Sequence, residues 1–131
     1  MNYISNLVST LSYFGLVERE VSFDDLLSDS KRKLRFDFRL NYKESEILIE
    51  LDGWSHFDKD RALKEFHLSE KEFLKARIYD RRKELYCKKN KLFLLRLNSN
   101  EPWTIEHLKY RLENIIQGVK DEFYYDFSQY D

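Results

Sequence analysis

The feature that most limits the fold is a strict alternation, LRFDFRL (34–40), followed six residues later by ILIELD (47–52). Period-2 alternation marks a strand with one buried face. A connection as short as NYKESE (41–46) makes the two strands an antiparallel hairpin. On the first strand Leu34, Phe36, Phe38 and Leu40 share one face, and Arg35, Asp37 and Arg39 share the other. On the second, Ile47, Ile49 and Leu51 oppose Leu48, Glu50 and Asp52. If both apolar faces meet one core, Asp37 emerges on the same side as the Glu50/Asp52 pair. Neighbouring strands lie about 4.8 Å apart, so these carboxylates crowd and raise one another's proton affinity. A divalent cation removes that repulsion, and Mg²⁺ takes oxygen ligands of this kind. A hairpin with a wet polar face, Asp37 neutralised by Arg35 and Arg39, accounts for the same pattern without a metal.

The rest of the chain supplies helices and one more interior strand. Ile4, Leu7, Val8, Leu11 and Phe14 fall at helical spacing and predict a helix over 2–14 that Gly15 stops. A short strand is expected at 19–23, then a polar loop to Ser30. Residues 59–90 are charged and lack Pro and Gly; Ser69 and Glu72 have capping-box spacing, which splits this region into a short and a longer helix. LFLLRL (92–97) reads as an interior strand. Thr104 caps a last helix with Ile105, Leu108, Leu112, Ile115, Ile116 and Val119 on one stripe. The order implies an α/β fold with a mixed central β-sheet flanked by helices: a single domain over 1–120 and an acidic, aromatic tail, DEFYYDFSQYD, over 121–131. Three Gly and one Pro in 131 residues leave no room for long linkers. No apolar run approaches the roughly 20 residues of a membrane helix, and the N-terminus lacks the basic start and continuous apolar run of a signal peptide. One cysteine, Cys87, excludes an internal disulfide. An intracellular protein without a membrane partner is expected.

Charge is unevenly spread. Residues 1–58 carry 7 basic and 11 acidic side chains, residues 59–96 carry 13 and 6, and residues 97–131 carry 3 and 7. The basic middle, with Arg77, Arg81, Arg82, Lys88, Lys89 and Lys91, is compatible with a phosphate-binding face; the same cations also suit a solvated helical surface. Asp80, Lys83, Cys87 and Asn90 fall along one helical face. After the second strand, Gly53 permits a sharp turn that brings His56 back beside the acids. His67 and His107 are expected on helices and carry no such role.

The ordered set RFDFRL, IELDGWSHF, YDRRKELYCKKN and LFLLRLN resembles the PD-(D/E)XK nuclease superfamily, in the branch of very-short-patch repair endonucleases and EDxHD homing endonucleases. The likeness spans roughly residues 16–98. It implies a restriction-endonuclease-like core, with Asp37, Glu50 and the Leu51 carbonyl holding Mg²⁺, or Mn²⁺ in its place. It implies Asp52 and His56 beside the attacking water, His56 as general base, Asp80 holding His56, Lys83 touching the scissile phosphate, and Asn90 in support. The lysine usually found two residues after the strand acid is here Asp52, as in the mismatch-repair branch. The EDxHD glutamate of the first helix falls near Tyr3 or Ile4, leaving Glu18 or Glu20 as substitutes. The implied function is a Mg²⁺-dependent DNA endonuclease or nickase acting at a short site, mismatch or junction, as a homodimer or with a protein partner. The alternative is a nuclease-derived nucleic-acid or protein binding module without turnover. The tail is expected to dock back, bind a partner, imitate nucleic acid, cover the basic face, or be loose.

Overall fold

The structure is a computed structural model that describes residues 3–131, at Tyr3 the backbone alone. Its elements are α1 (Tyr3–Ser12), β1 (Val17–Leu27), β2 (Lys33–Tyr42), β3 (Ser45–Asp52), α2 (Lys59–Glu65), α3 (Glu70–Lys89), β4 (Phe93–Asn98) and α4 (Ile105–Gln117). Single 3₁₀ turns follow β3 at Trp54–His56 and end the chain at Ser128–Tyr130. The first residue of the expected 2–14 helix lies outside the described residues.

The strands form one mixed sheet in the order β1-β2-β3-β4, the first two pairings antiparallel and β3–β4 parallel. The expected hairpin is there, with Phe38 opposite Ile49 and Leu40 opposite Ile47. It is tighter than expected: Lys43 (φ +48) and Glu44 (φ +64) turn the chain between Tyr42 and Ser45. Positive φ at both central residues is the requirement of a type I′ turn, which suits the twist of a hairpin. β1 runs to Leu27, well past the expected 19–23.

The sheet is covered on both faces. Leu7 and Leu11 of α1 and Leu108 and Leu112 of α4 pack on Phe38, Leu40, Tyr42, Ile47, Ile49, Leu95 and Leu97. On the other face Val21, Leu26, Phe36 and Leu48 meet Cys87 of α3. Each such large apolar side chain contributes about 1.5–3 kcal/mol by burial. Gly15 lets β1 enter beside β2: a Cβ there would lie 2.1 Å from the Asn41 carbonyl oxygen. The capping box of Ser69 and Glu72 opens α3 as expected. Thr104 caps α4, and Gly118 (φ +72) ends it, so Val119 falls outside the stripe and is exposed, as is Ile105 at its start. His67 departs from expectation, lying between α2 and α3 with φ +54.

One expectation fails in a way that shapes the site. The alternating residues of β2 do not share a face: Phe36 joins the cluster under α3, with Leu34 packed against it, whereas Phe38 and Leu40 face α1 and α4. The ladder between β2 and β3 stops at Phe38–Ile49. At the next position the Asp37 N–H donates to Glu50 Oε1 (3.2 Å) and the Leu51 N–H to Asp37 Oδ2 (2.7 Å). Between the pairs Arg19–Phe38 and Val21–Phe36 of β1 and β2, Glu20 takes φ +54. Side-chain bonds thus replace main-chain pairing, and β2 rotates there.

Candidate active site at the end of the central strands

Glu50 and Asp52 leave β3 on the face covered by α3, and both are buried. An unpaired buried carboxylate costs several kcal/mol, so each has a partner. Glu50 Oε2 accepts from Lys83 Nζ of α3 at 3.2 Å. Asp52 Oδ2 accepts from Arg96 Nη1 of β4 at 3.1 Å and from the Tyr125 hydroxyl at 3.0 Å. Arg96 is the charge inside the apolar run of β4. Its Nε reaches Glu84 at 2.9 Å and its Nη2 the Asp80 carbonyl at 2.8 Å, so this buried guanidinium ties β3 and β4 to α3. Its surrounding carboxylates hold its pKa above the ordinary arginine value despite burial.

The turn after Gly53 returns His56 to the acids. His56 Nδ1 lies 3.0 Å from Asp80 Oδ2 and 3.5 Å from Asp52 Oδ1. Asp80 Oδ2 also accepts from Arg77 Nε at 2.8 Å, and Arg77 Nη1 donates to the Ser55 carbonyl at 2.9 Å, which fixes the turn carrying the histidine. Burial pushes the Asp80 carboxyl up, but its hydrogen bond to His56 and the charges of His56, Arg77 and Arg96 outweigh that and lower it. Asp80 therefore stays ionised. A carboxylate on Nδ1 favours the proton there and leaves Nε2 as the basic nitrogen of a neutral ring.

Glu50 behaves oppositely. Burial raises its pKa to about 7, the Lys83 charge opposes this, and the Asp37 charge adds to it. Desolvation also raises Asp37, against the Leu51 amide and the Lys83 charge. Asp37 remains open to solvent and lines a cleft of about 240 Å³ with Ile4, Arg19, Glu20, Phe38 and Leu51. Of the two substitutes weighed for the first-helix acid, Glu20 borders this cleft, while Glu18 is paired with Arg39 at 2.7 Å.

Asp37, Glu50, Lys83 and the N–H of Leu51, rather than the carbonyl expected as a ligand, thus meet at one place, while Asp52, whose charge raises both acids, contacts His56 beside Asp80. No group of three or more His, Cys, Asp or Glu side chains is arranged to hold a metal among the described residues. The donor chemistry is that of two hard carboxylates from adjacent strands, each with a raised proton affinity. That fits Mg²⁺, which is held by one or two carboxylates and keeps several waters; its competitor on the protein side is the Lys83 ammonium.

The six basic residues divide. Arg77 is an interior strut. Arg81 pairs with Glu84 (3.2 Å) and Asp131, and Arg82 with Asp29 (3.0 Å) and the Leu27 carbonyl. Lys88, Lys89 and Lys91 are exposed and make no ion pair among the described residues. Asn90 caps α3, its amide donating to the Tyr86 carbonyl at 2.9 Å. Cys87 is core, its thiol pushed up to about 12 by burial. Sequence reasoning missed Arg96, Glu84, Tyr125 and Phe127. A charge inside LFLLRL is a usable signal for Arg96, because a buried guanidinium must find acids; nothing local marks the others. Among known proteins the chain matches no family model, no curated sequence and no solved structure.

Proposed function

We propose that this chain is a Mg²⁺-dependent endodeoxyribonuclease or nickase with a restriction-endonuclease-like core, related to the PD-(D/E)XK nucleases. The observation that carries the reading is a carboxylate pair, Asp37 and Glu50, linked across β2 and β3 and within electrostatic range of an imidazole held by Asp80. The site combines an acid that keeps its proton to neutral pH with one held below the ordinary carboxylate value, a separation typical of acid–base sites. Asp37 and Glu50 would hold the cation, which when bound neutralises phosphate charge and acidifies a coordinated water. His56 takes the proton of the attacking water at Nε2, and Asp80 and Asp52 stabilise the imidazolium through Nδ1. Lys83 can move from Glu50 to a phosphate oxygen once a cation takes its place. Lys88, Lys89 and Lys91 supply screened attraction to the backbone of DNA.

The test is nicking of supercoiled plasmid, and of duplexes carrying a mismatch or a junction, in Mg²⁺ and in Mn²⁺. Cleavage by the wild type that is lost in Asp37→Asn and in His56→Ala is the expected result. Cleavage surviving both substitutions would overturn the assignment. A second reading, a binding module without turnover, draws on the Lys83–Glu50 pair, which already neutralises the acid. It expects DNA retention with no nicking on any of these substrates.

A further inference from the structure

The C-terminal segment, expected as a tail, is docked beside His56. Asp121 accepts from Arg111 (3.3 Å) and Asn114 (3.1 Å), the Phe127 N–H donates to Glu84 (3.0 Å), and Asp131 pairs with Arg81. Phe127 is buried, its ring 6.2 Å from the His56 ring and 4.8 Å from the Arg96 guanidinium. Tyr125 packs edge-on against Phe57 at 4.9 Å and extends its hydroxyl to Asp52.

The two donors to Asp52, Tyr125 and Arg96, both bind Oδ2. Oδ1 is buried, has no hydrogen-bond partner among the described residues, and lies 3.5 Å from His56 Nδ1. Leaving a buried carboxylate oxygen unpaired is costly, and the one donor the structure sets beside it is the His56 Nδ1–H, whose shorter contact is to Asp80 Oδ2 at 3.0 Å and which Oδ1 can only share. We propose that Tyr125 is a positioning residue: its hydroxyl holds the Asp52 carboxylate so that Oδ1 faces His56. Arg96 alone, with one nitrogen on Oδ2, leaves the carboxylate free to rock; a second donor on that oxygen from another direction fixes its plane. The charged groups around His56 are Asp52 from β3, Asp80 and Arg77 from α3, Arg96 from β4 and, at longer range, Asp37 from β2. The functional meaning of this inference rests on His56 as proton acceptor, but its first readout does not.

The experiment compares wild type, Tyr125→Phe and Asp131→Asn. Tyr125→Phe keeps the ring; Asp131→Asn weakens the docking and leaves the hydroxyl in place. Nitrogen-15 NMR of the histidines reports exchange of the His56 Nδ1 proton with water. Loss of one hydrogen bond to a charged group predicts about tenfold faster exchange in Tyr125→Phe, with Asp131→Asn like the wild type. On DNA, Tyr125→Phe should lower kcat by a similar factor and leave KM unchanged. Unchanged Nδ1 exchange in Tyr125→Phe, or equal acceleration in Asp131→Asn, overturns the proposal. If Tyr125→Phe does not fold, the wild type decides: a hydroxyl proton on Tyr125 protected from exchange supports the contact, and an unprotected one refutes it. Should the wild type cut no DNA while the NMR response is as expected, the nuclease reading fails and the positioning role stands.

Discussion

Replacing Glu50 by glutamine should make the protein more stable and inactive, and the gain should grow with pH. The buried carboxyl titrates at about 7 in the folded chain against an ordinary 4.5. The folded state therefore holds the Glu50 proton more tightly than the unfolded state, and stability falls as pH rises through this interval. Each pH unit of difference is worth about 1.4 kcal/mol, so the ionised side chain costs the folded state about 3 kcal/mol at about pH 8 and about 1 kcal/mol at about pH 5. Glutamine keeps the shape and removes the charge. Urea unfolding followed by tryptophan fluorescence should thus show Glu50→Gln exceeding the wild type by those amounts. Lys83→Met should act in the opposite sense, leaving Glu50 without its cation, and the double variant should recover most of the loss. A gain independent of pH, or a loss that deepens toward alkaline pH, would refute the electrostatic account of this site.

Three further outcomes follow from the same geometry. If Asp37 and Glu50 hold Mg²⁺, the ion at ten times its Kd should stabilise the wild type by about 1.4 kcal/mol at about pH 8, less at about pH 5 where Glu50 keeps its proton, and not at all in Asp37→Asn; calorimetric Tm shifts check this without any substrate. Arg96→Met should cost about 3–5 kcal/mol in urea unfolding, because buried Asp52 and half-buried Glu84 are left charged with a lost partner; a loss below about 1 kcal/mol would mean that neither acid depends on it. Gly15→Ala should cost about 3 kcal/mol, since a Cβ 2.1 Å from the Asn41 carbonyl oxygen forces the β1–β2 entry apart; an unchanged Tm would show that the turn yields freely.

What was legible in the sequence was what depends on local period. The alternation of 34–40, the short loop and the Ser69–Glu72 box predicted the hairpin and the break between α2 and α3, and all are present. Helical spacing brought Asp80 and Lys83 to the site; His56 returns on the 3₁₀ turn Trp54–His56, but Gly53 is extended there (φ −87) with open space around it, so the turn does not depend on a glycine as expected. The face reversal of β2 at Asp37 was not legible, because side-chain bonds between strands override the period that alternation assumes. The Lys43–Glu44 turn lacked the Asn or Gly that usually signals positive φ. The docked segment 121–131 has no period at all, and its anchors are single contacts to Arg111, Glu84, Asp52 and Arg81 from distant parts of the chain.

Two buried acids of this site, Asp80 and Glu50, are treated in opposite ways by the charges around them. Asp80 is surrounded by more positive charge than it needs, with Arg77, Arg96 and the histidine all lowering it. Glu50, equally buried, has Lys83 as its principal cation and two carboxylates, Asp37 and Asp52, raising it. A cluster that served stability alone would share its cations more evenly, since the uneven distribution costs about 3 kcal/mol above neutral pH. The cost falls at the end of β3, where β2 abandons its ladder and Glu20 and Asp37 border an open cleft. Unfavourable charge placed beside strained backbone and solvent access is the condition that the proposed cation would relieve. The overcharged environment of Asp80, by contrast, keeps the imidazole's orienting partner ionised throughout the range in which Glu50 gains and loses its proton.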